Sequence, residues 1–282
     1  MPELPEVETV KQRLQSLIKN QRIMQIRILH HKSFIGSKKK IIGAKVKKIS
    51  RKAKILQVHL DNGLNLLIHL KMTGQLIFMN NDIKIGGGHP TADWVADLPT
   101  SHTRVIFKFK SGAKLFFNDM RIFGWIKILD DEEVIQELSN YGPDAIDKSF
   151  NQEYLFEKLK SRSISIKQAI MISDIVGGVG NIYASEALFV AGIDPTRPAK
   201  KLSKQEVKKL VKVIKQVVKE AIEFKGTTFD GKFVDVNGLS GNYQKKLKVY
   251  GREEKPCPTC GERIKKIQLG NRGTYYCQSC QK

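Results

Sequence analysis

The second residue of the chain, Pro2, is the first candidate for chemistry because it directly follows the initiator methionine. Methionine is normally removed before a small residue such as proline, and its removal would leave Pro2 with a free secondary amine. An α-amino group titrates near pH ~7.7–8.0, so much of that amine would be neutral and nucleophilic in the cell. Its attack on a carbonyl or on a sugar C1′ would form an iminium ion, which acts as an electron sink.

Glu3 and Glu6 lie close to this proline in the sequence and are candidate acid or base groups, since burial can raise the pKa of a carboxyl. An ordinary structural interpretation competes with this one. Most N-terminal prolines are exposed, and a glutamate in the first turn of a helix complements the positive end of the helix dipole. On these residue types alone, the structural interpretation is favoured.

The four cysteines form two Cys-x-x-Cys pairs, Cys257/Cys260 and Cys277/Cys280, separated by the 16 residues from 261 to 276. This spacing is typical of a zinc site in which two knuckles bring four thiolates into a tetrahedron. A redox dithiol pair or an iron–sulfur site is less favoured, because no βαβ thioredoxin pattern surrounds either pair. Four cysteines leave no coordination position open, so we expect one structural Zn²⁺. It would hold a hairpin with Arg272 at its tip, placed to contact a phosphate.

The 282-residue chain is strongly basic: 49 lysines and arginines against 28 acidic residues give a net charge of +21, spread along its length. Nucleic acid is a natural partner, because phosphate neutralisation releases counterions. A lysine-rich proteome would produce the same balance, and composition does not decide between the two. The sequence shows no signal peptide, no apolar run long enough to cross a bilayer, and no heptad or interface stripe. We therefore expect a cytoplasmic monomer without a membrane partner.

Apolar spacing predicts a helix over residues 5–18 and a β-rich segment after it. Asp61-Asn62-Gly63 is a strong turn signal between two strands. The two predicted strands occupy residues 54–60 and 64–72. A second hairpin is predicted at 104–117, and a glycine-rich loop between the two hairpins at 86–101.

From about Asp131 the pattern becomes helical, most clearly at 205–224, where one apolar stripe alternates with solvent-facing lysines. We predict a β-rich catalytic domain at 1–130, a helical domain at 131–240 and a zinc finger at 241–282.

Several motifs together resemble the formamidopyrimidine-DNA glycosylase family, in the order of that family and over the whole length of the chain. They are Pro2-Glu3-Leu4-Pro5-Glu6-Val7-Glu8-Thr9, His69-Leu70-Lys71-Met72-Thr73-Gly74, Asp119-Met120-Arg121-Ile122-Phe123-Gly124, Gly178-Val179-Gly180-Asn181-Ile182-Tyr183-Ala184-Ser185-Glu186, Asp194-Pro195-Thr196-Arg197-Pro198, Gly226-Thr227-Thr228 and Val249-Tyr250-Gly251-Arg252. The resemblance implies an α+β fold. An N-terminal β-sandwich flanked by an N-terminal helix would precede a helix-two-turns-helix domain with a β-hairpin zinc finger.

The resemblance also implies an enzyme that excises oxidised purines, such as 8-oxoguanine and formamidopyrimidines, from double-stranded DNA and also acts at abasic sites. The Pro2 amine would attack C1′ of the damaged nucleotide and expel the base, and β,δ-elimination of the Schiff base would cut the strand. Glu3 would protonate the sugar ring oxygen as it opens, and Glu6 matches a further acidic position. Lys54 matches a lysine that holds phosphates and assists elimination. A solvated strand-edge lysine would fit the same position.

Six further residues match DNA-contacting positions of the family. The positions that match phosphate contacts are His69, Asn181 and Arg272. The positions that match the group filling the space left by the flipped nucleotide are Met72, Arg121 and Phe123. Without the resemblance, His69, Met72 and Phe123 would be assigned to the core. The glycines before Asn181 suit an anion site, because a glycine-rich turn before a helix exposes backbone N–H groups.

The sequence departs from the family pattern at four places. Met120 replaces a usual proline, Ile122 a second basic residue, and Lys225 a frequent glycine, and Phe229-Asp230-Gly231 is atypical. By resemblance, the last two departures belong to the segment that covers the flipped base, so they bear on lesion preference.

Two alternatives remain open at the level of sequence. An enzyme resembling endonuclease VIII would prefer oxidised pyrimidines, but Leu4, Arg121 and Phe123 favour the purine enzyme. A non-catalytic zinc-module DNA-binding protein would explain the charge and the cysteines. It would not explain why Pro2 and Glu3 occur together in the matching context.

Overall fold

The computed structural model describes residues 1–81, 83–89, 92–94, 96–227 and 241–282. The chain divides into two units. The first contains Met1–Ser139 and the described residues of Lys225–Asn242, and the second contains Asn140–Phe224 and Tyr243–Lys282. The division into 1–130, 131–240 and 241–282 stays a prediction. No helix in the described ranges is both long enough and apolar enough to span a membrane.

The first unit begins with helix α1, Leu4–Ile18, which confirms the helix predicted from apolar spacing. Its buried side chains recur every three or four residues, at Leu4, Val7, Val10, Leu14 and Ile18. Burial of each such side chain contributes about 1.5–3 kcal/mol. The helix is therefore fixed on the core by one face, and its first turn is held with it.

The described residues of this unit contain ten strands in two five-stranded sheets. The first sheet has the order β1-β8-β9-β6-β7: Ile23–Ile28, Thr103–Phe109, Lys114–Asp119, Gly74–Asn80 and Ile83–Gly88. The second has the order β2-β10-β5-β4-β3: Phe34–Ile35, Trp125–Leu129, Asn65–His69, Ile55–Leu60 and Val46–Lys52. Residues of both sheets and of α1 contribute to a single buried apolar cluster, which confirms the predicted β-sandwich with its N-terminal helix.

Two sequence predictions in this unit were wrong in extent. The strand predicted at 64–72 ends at His69, because residues 70–74 turn back, with the Gly74 N–H bonded to the Leu70 carbonyl at 2.8 Å. The loop predicted at 86–101 begins later, because Gly86–Gly88 belong to β7. A Cβ atom on Gly87 would lie 2.8 Å from a Val10 methyl, so glycine here allows α1 to approach the strand.

Helix α2, Asp131–Ser139, ends the N-terminal segment of the first unit, and the second unit is mainly helical. Its helices are α3 Gln152–Leu159, α4 Ile166–Met171, α5 Asn181–Ala191 and α6 Lys204–Glu223. The hairpin of β11, Lys265–Leu269, and β12, Arg272–Tyr276, follows near the C-terminus. Helix α6 matches the predicted apolar stripe and starts at a capping box between Ser203 and Glu206.

Candidate active site, DNA-contacting loops and metal centre

The candidate nucleophile Pro2 and the candidate acid Glu3 lie directly before α1, and Glu3 is its N-cap residue. Pro2 and Glu3 are buried, Glu3 being 3% exposed, whereas Met1 is 41% exposed. Glu3 and Glu6 form a reciprocal capping box, in which Glu6 Oε2 accepts the Glu3 backbone N–H at 2.8 Å. The box satisfies N–H groups that a helix start leaves without partners. While Met1 is attached, the Pro2 nitrogen is an amide, so it could act as a nucleophile only after methionine is removed.

Glu6 also joins this turn to a segment far along the chain. Its Oε1 accepts the Thr227 backbone N–H at 2.8 Å and the Thr227 hydroxyl at 3.1 Å. Gly226, at φ +80°, passes so close that a Cβ atom would lie 2.6 Å from Glu6 Oε1. Only a glycine fits this approach. Glu6 therefore ties the N-terminal turn to residue 227.

The family departure at Lys225 falls on an unusual backbone conformation. Lys225 has φ +60°, in the left-handed region that glycine favours and that costs other residues free energy. This explains why a glycine suits the position. Thr228 and the departure at Phe229-Asp230-Gly231 lie outside the described residues.

Lys54 lies directly before β4 and is buried, with 8% of its surface exposed. It follows Ala53, which has φ +50° and whose carbonyl accepts a hydrogen bond from Arg51 at 2.9 Å. Arg51 in turn pairs with Glu8 of α1 at 3.0 Å. Lys11 is a second ionic partner of Glu8, at 2.6 Å. Burial would raise the pKa of Glu8, but Lys11 and Arg51 outweigh it and hold that pKa below its usual value. The environment of Lys54 is therefore not that of a solvated strand-edge lysine.

The two loops that carry Met72, Arg121 and Phe123 are joined by one fully buried carboxylate, Asp119. Asp119 Oδ1 accepts the hydroxyl of Thr73, the residue after Met72. The same oxygen accepts the Arg121 N–H at 3.2 Å, and Oδ2 accepts the Gly124 N–H at 2.6 Å. Asp119 thus sets the relative position of both loops.

The side chains on these loops are accessible, as the void-filling role requires. Phe123 is 52% exposed, Arg121 is exposed and Met72 is half-buried. The Arg121 guanidinium lies 4.7 Å from the centre of the Phe123 ring, within the range of a cation–π interaction. Assignment of Phe123 to the core would therefore have been wrong. Ile122 between them has φ +59°, an unusual value for a β-branched residue.

We expect Asp119→Asn to lower excision of a damaged base by about tenfold or more. One end of the asparagine amide is a donor, so it opposes the Arg121 N–H if it takes the place of Oδ1 or the Gly124 N–H if it takes the place of Oδ2. Either orientation loosens the loop that carries Arg121 and Phe123, at a cost of about 1–3 kcal/mol. Single-turnover excision should be measured together with the fluorescence of 2-aminopurine beside the lesion, which reports base unstacking. Asp97→Asn changes the same charge at an exposed position and serves as the control. Unchanged fluorescence and excision would show that Asp119 does not position the loops.

His69 ends β5 and is buried at 7% exposure against Trp125, with the ring centres 5.7 Å apart. Its Nδ1 accepts the Lys71 backbone N–H at 2.9 Å, so that nitrogen carries no proton. Burial, with the nearby Lys71 and Lys54 charges, lowers the pKa of His69 from 6.5 to about 3. The ring is therefore neutral at physiological pH, and it can serve a phosphate only as an N–H donor through Nε2.

This depressed pKa predicts that acid destabilises the protein partly through His69. The folded state stays unprotonated there down to pH about 3, whereas the unfolded chain takes up the proton below about 6.5. The free energy of unfolding should therefore fall as the pH drops below 6.5, by up to about 2 kcal/mol at pH 5. Urea unfolding at pH 7 and pH 5 should show a smaller loss for His69→Gln, which keeps an acceptor for Lys71. Equal losses in the two proteins would contradict the assignment.

Asn181 and Arg272, the phosphate-contact candidates of the second unit, are brought together by hydrogen bonds. Asn181 starts α5, and its Nδ2 donates to the carbonyl of Gly273, the neighbour of Arg272, at 3.0 Å. The buried Lys167 ammonium of α4 reinforces the hairpin, bonding the Thr274 hydroxyl at 2.8 Å. Asn181 Oδ1 is buried and has no hydrogen-bond partner among the described residues. Arg272 itself is exposed.

The four cysteines converge as predicted, with all four Sγ atoms within 4.8 Å of one another. Cys257 and Cys280 lie 3.9 Å apart and Cys260 and Cys277 3.5 Å apart. Sulfurs bound tetrahedrally at about 2.3 Å from zinc lie about 3.8 Å from each other, so the cluster fits one Zn²⁺. The module rests on an apolar cluster that includes Phe189 of α5, Val249 and Ile264. It binds one structural zinc.

Two positioning residues were not identified from the sequence, namely Asp119 and Lys167. The signal for Asp119 was its place at the start of Asp-Met-Arg-Ile-Phe-Gly, but only the structure shows that it reaches Thr73. The signal for Lys167 was a lysine inside the apolar stretch of α4, where charge is costly unless it is hydrogen-bonded.

Family models match the chain from end to end. The N-terminal domain of formamidopyrimidine-DNA glycosylase matches residues 1–126, the helix-two-turns-helix domain of that enzyme matches 141–232, and a zinc finger found in this enzyme and in isoleucyl-tRNA synthetase matches 254–282. The chain belongs to the formamidopyrimidine-DNA glycosylase family.

Relatives and solved structures match this chain over nearly its full length. The formamidopyrimidine-DNA glycosylase of Pelotomaculum thermopropionicum is 38% identical over 289 residues, covering 100% of this chain and 99% of the relative. That of Hydrogenovibrio crunogenus is 41% identical, covering 100% and 97%. The MutM (Fpg) protein of Thermus thermophilus superposes with a TM-score of 0.85 at 33% identity, covering 99% and 98% of the two chains. The Lactococcus lactis enzyme in complex with DNA containing Fapy-dG gives a TM-score of 0.86 at 29% identity, covering 99% and 100%.

Proposed function

We propose that this protein excises oxidised purines, including 8-oxoguanine and formamidopyrimidines, from double-stranded DNA and then cleaves the strand. The reaction proceeds through a Schiff base on Pro2. The observation that carries the proposal is the burial of Pro2 and Glu3 directly before α1, where a capping box with Glu6 fixes Glu3. Relatives named formamidopyrimidine-DNA glycosylase and a relative bound to Fapy-dG DNA support the substrate class.

The chemistry begins once Met1 has been removed. The Pro2 nitrogen lone pair attacks C1′, and the C1′–N9 bond of the purine breaks with its electrons leaving on the base, which takes up the proton that the Pro2 nitrogen loses. The bond from C1′ to the ring oxygen then breaks, and Glu3 supplies the proton to that oxygen. The resulting iminium withdraws electrons, so C2′ loses a proton and the 3′ phosphate leaves. A second elimination then releases the 5′ phosphate.

Other residues bind and shape the DNA. Lys54 holds phosphates near the lesion and assists elimination, and His69 donates to a phosphate from its neutral ring. In the second unit Asn181 and Arg272 contact phosphates, and their link through Gly273 supports a joint role. Exposed cations on a chain with a charge of +21 supply affinity for the backbone.

Met72, Arg121 and Phe123 fill the space that the flipped nucleotide leaves. Extrusion costs about a few kcal/mol, and an apolar wedge with a cation offsets part of it. The Arg121 guanidinium would hydrogen-bond the unpaired cytosine. We further propose that the enzyme acts as a monomer on DNA in the nucleoid.

The test is covalent trapping. Untagged protein with Met1 removed is incubated with a duplex that contains 8-oxoguanine opposite cytosine, in the presence of borohydride. We expect a covalent adduct whose mass maps to the peptide that begins with Pro2, and cleaved strand in the unreduced reaction. The control is a variant with one glycine inserted before Pro2, which leaves the fold intact but turns the Pro2 nitrogen into an amide.

The outcomes separate the alternatives. No adduct with this duplex, but an adduct with one that contains an oxidised pyrimidine, would replace the purine substrate class. Failure with both duplexes, in protein that has lost Met1 and holds zinc, would leave only a DNA-binding function. An adduct on a lysine instead of Pro2 would overturn the assigned nucleophile.

A further inference from the structure

The turn of the zinc-finger hairpin, Gly270-Asn271, leads directly into Arg272, so the position of the turn decides where that cation lies. Both turn residues have positive φ, +55° and +58°, and Leu269 pairs with Arg272 across them. This is the geometry of a two-residue type I′ turn. The turn residues and Arg272 are all exposed. Burial of apolar surface therefore does little to fix this end of the hairpin.

The anchors of the hairpin described so far lie below its turn. The zinc site and its apolar cluster hold the other end, where Cys277 directly follows β12. The side chains of Lys167 and Asn181 hold β12 at Gly273 and Thr274. Among the described residues, none outside the hairpin forms a hydrogen bond with either turn residue. The turn must therefore be placed by a contact of another kind.

Helix α4 supplies such a contact through Gln168. A Cβ atom built on Gly270 would lie 2.4 Å from Gln168 Nε2 and 3.0 Å from Gln168 Cδ. Because glycine has no Cβ, the backbone of the turn can rest directly on the amide of that side chain. Gln168 thus limits how far the turn can move toward α4.

The Gln168 side chain is itself held in place. Its Oε1 accepts the hydroxyl of Ser165 at 2.8 Å, and Ser165 is buried at 7% exposure. Ser165 caps α4 and forms a β-bridge with Pro198, and the next residue donates its N–H to the Arg197 carbonyl at 2.7 Å. A glutamine that would otherwise sample several rotamers is therefore restricted before any DNA binds.

We propose that Gln168 is a positioning residue for DNA binding, which holds the hairpin turn so that Arg272 meets a phosphate already ordered. The inference rests on the phosphate contact proposed for Arg272. Ordering a long side chain and its loop during binding lowers affinity, and a support that is already in place removes that cost. The five residues of β12 span roughly 13 Å at a rise of ~3.3 Å per residue, so the zinc site alone is a distant anchor.

The first measurement is the backbone mobility of the hairpin in zinc-loaded, full-length Gln168→Ala, by nuclear magnetic resonance relaxation. We expect the order parameter of the Arg272 N–H to fall from about 0.85, typical of rigid backbone, toward about 0.6. The N–H of Tyr276, beside the zinc site, should keep its value. Alanine favours a helix at least as well as glutamine, so the change itself does not weaken α4. Gln216→Ala removes the same side chain from an exposed position of α6 and serves as the control.

The second measurement is the salt dependence of affinity for an undamaged duplex. The slope of log affinity against log salt concentration falls by about 0.9 for each phosphate that a protein no longer neutralises. Gln168 has no charge, so a lower slope in Gln168→Ala can arise only through a cation. We expect at least half of the decrease seen in Arg272→Ala, and about three- to tenfold weaker binding. Gln168→Ala should cause no further loss in a protein that already carries Arg272→Ala.

Three results would overturn the role of Gln168. The first is an unchanged order parameter of Arg272 in Gln168→Ala. The second is an additive loss of affinity in the double variant, which would separate Gln168 from Arg272. The third is an equal loss in Gln216→Ala. A normal salt slope in Arg272→Ala would overturn the phosphate contact itself and, with it, this role of Gln168, whereas covalent trapping on Pro2 is independent of all these results.

Discussion

Replacement of Glu3 by glutamine is expected to reduce excision of 8-oxoguanine by ~10²–10⁴-fold while leaving incision at a preformed abasic site within about tenfold of wild type. Removal of an intact base requires a proton for the sugar ring oxygen as the ring opens, and glutamine has none to give. A preformed abasic sugar already exists partly as an open aldehyde, so the Pro2 amine can attack it without that proton. The two rates should be measured on matched duplexes under single-turnover conditions.

Glutamine keeps an oxygen that can still cap α1, so the fold should be retained. A control exists in the same unit, where Asp130 Oδ1 accepts the Glu133 N–H at the start of α2 at 2.9 Å. Asp130→Asn neutralises a capping carboxylate away from Pro2 and reports the cost of that change alone. A parallel loss of both activities in Glu3→Gln, with unchanged stability, would show that Glu3 is not the specific proton donor for base removal.

Loss of zinc is expected to unfold the C-terminal module and to weaken DNA binding by at least tenfold. Residues 254–282 contain too little apolar surface to fold alone, and structural zinc supplies about 10–16 kcal/mol of apparent free energy to such modules. Unfolding would release Arg272 from its hairpin and uncover Phe189 of α5, which packs on the module. Cys277→Ser, at a fully buried ligand, should therefore lose the metal.

Metal content should be measured by atomic emission, DNA affinity by anisotropy, and exposure of the hairpin by limited proteolysis. The control is Ser279→Ala, an exposed position between two of the ligands that supplies no sulfur. It should retain one zinc and wild-type affinity. A Cys277→Ser protein that binds DNA normally without zinc would show that the hairpin does not depend on the metal.

Periodic patterns in the sequence predicted much of the fold. The spacing of Val7, Val10 and Leu14 predicted α1, and the turn signal Asp61-Asn62-Gly63 between two strands predicted the β4–β5 hairpin. The incorrect loop prediction at Gly86–Gly88 has a physical cause, because three consecutive glycines indicate a loop when only the local sequence is considered. Here the small size of Gly87 serves the packing of α1 on β7, a contact between segments about 75 residues apart. Local pattern does not contain that information.

The candidate site shows the same division. The motifs named Pro2, Glu3 and the cysteine ligands by type and order, and the cysteine cluster is confirmed. The groups that hold these residues in place come from distant segments. Asp119 reaches Thr73 across 46 residues, and Thr227 reaches Glu6 across 221. Such pairs depend on how sheets and loops pack, so sequence alone did not reveal them.

Glu6 contacts both the N-terminal turn and Thr227, so these two contacts can be thermodynamically linked. One carboxylate accepts the backbone N–H groups of residue 3 and residue 227. Any coupling between these two contacts acts by the same amount in both directions. A base analogue that strengthens the contact at Thr227 would tighten the N-terminal turn, and an occupied N-terminus would raise the affinity for that analogue. Substrate recognition and nucleophile alignment would then share a single cooperative step.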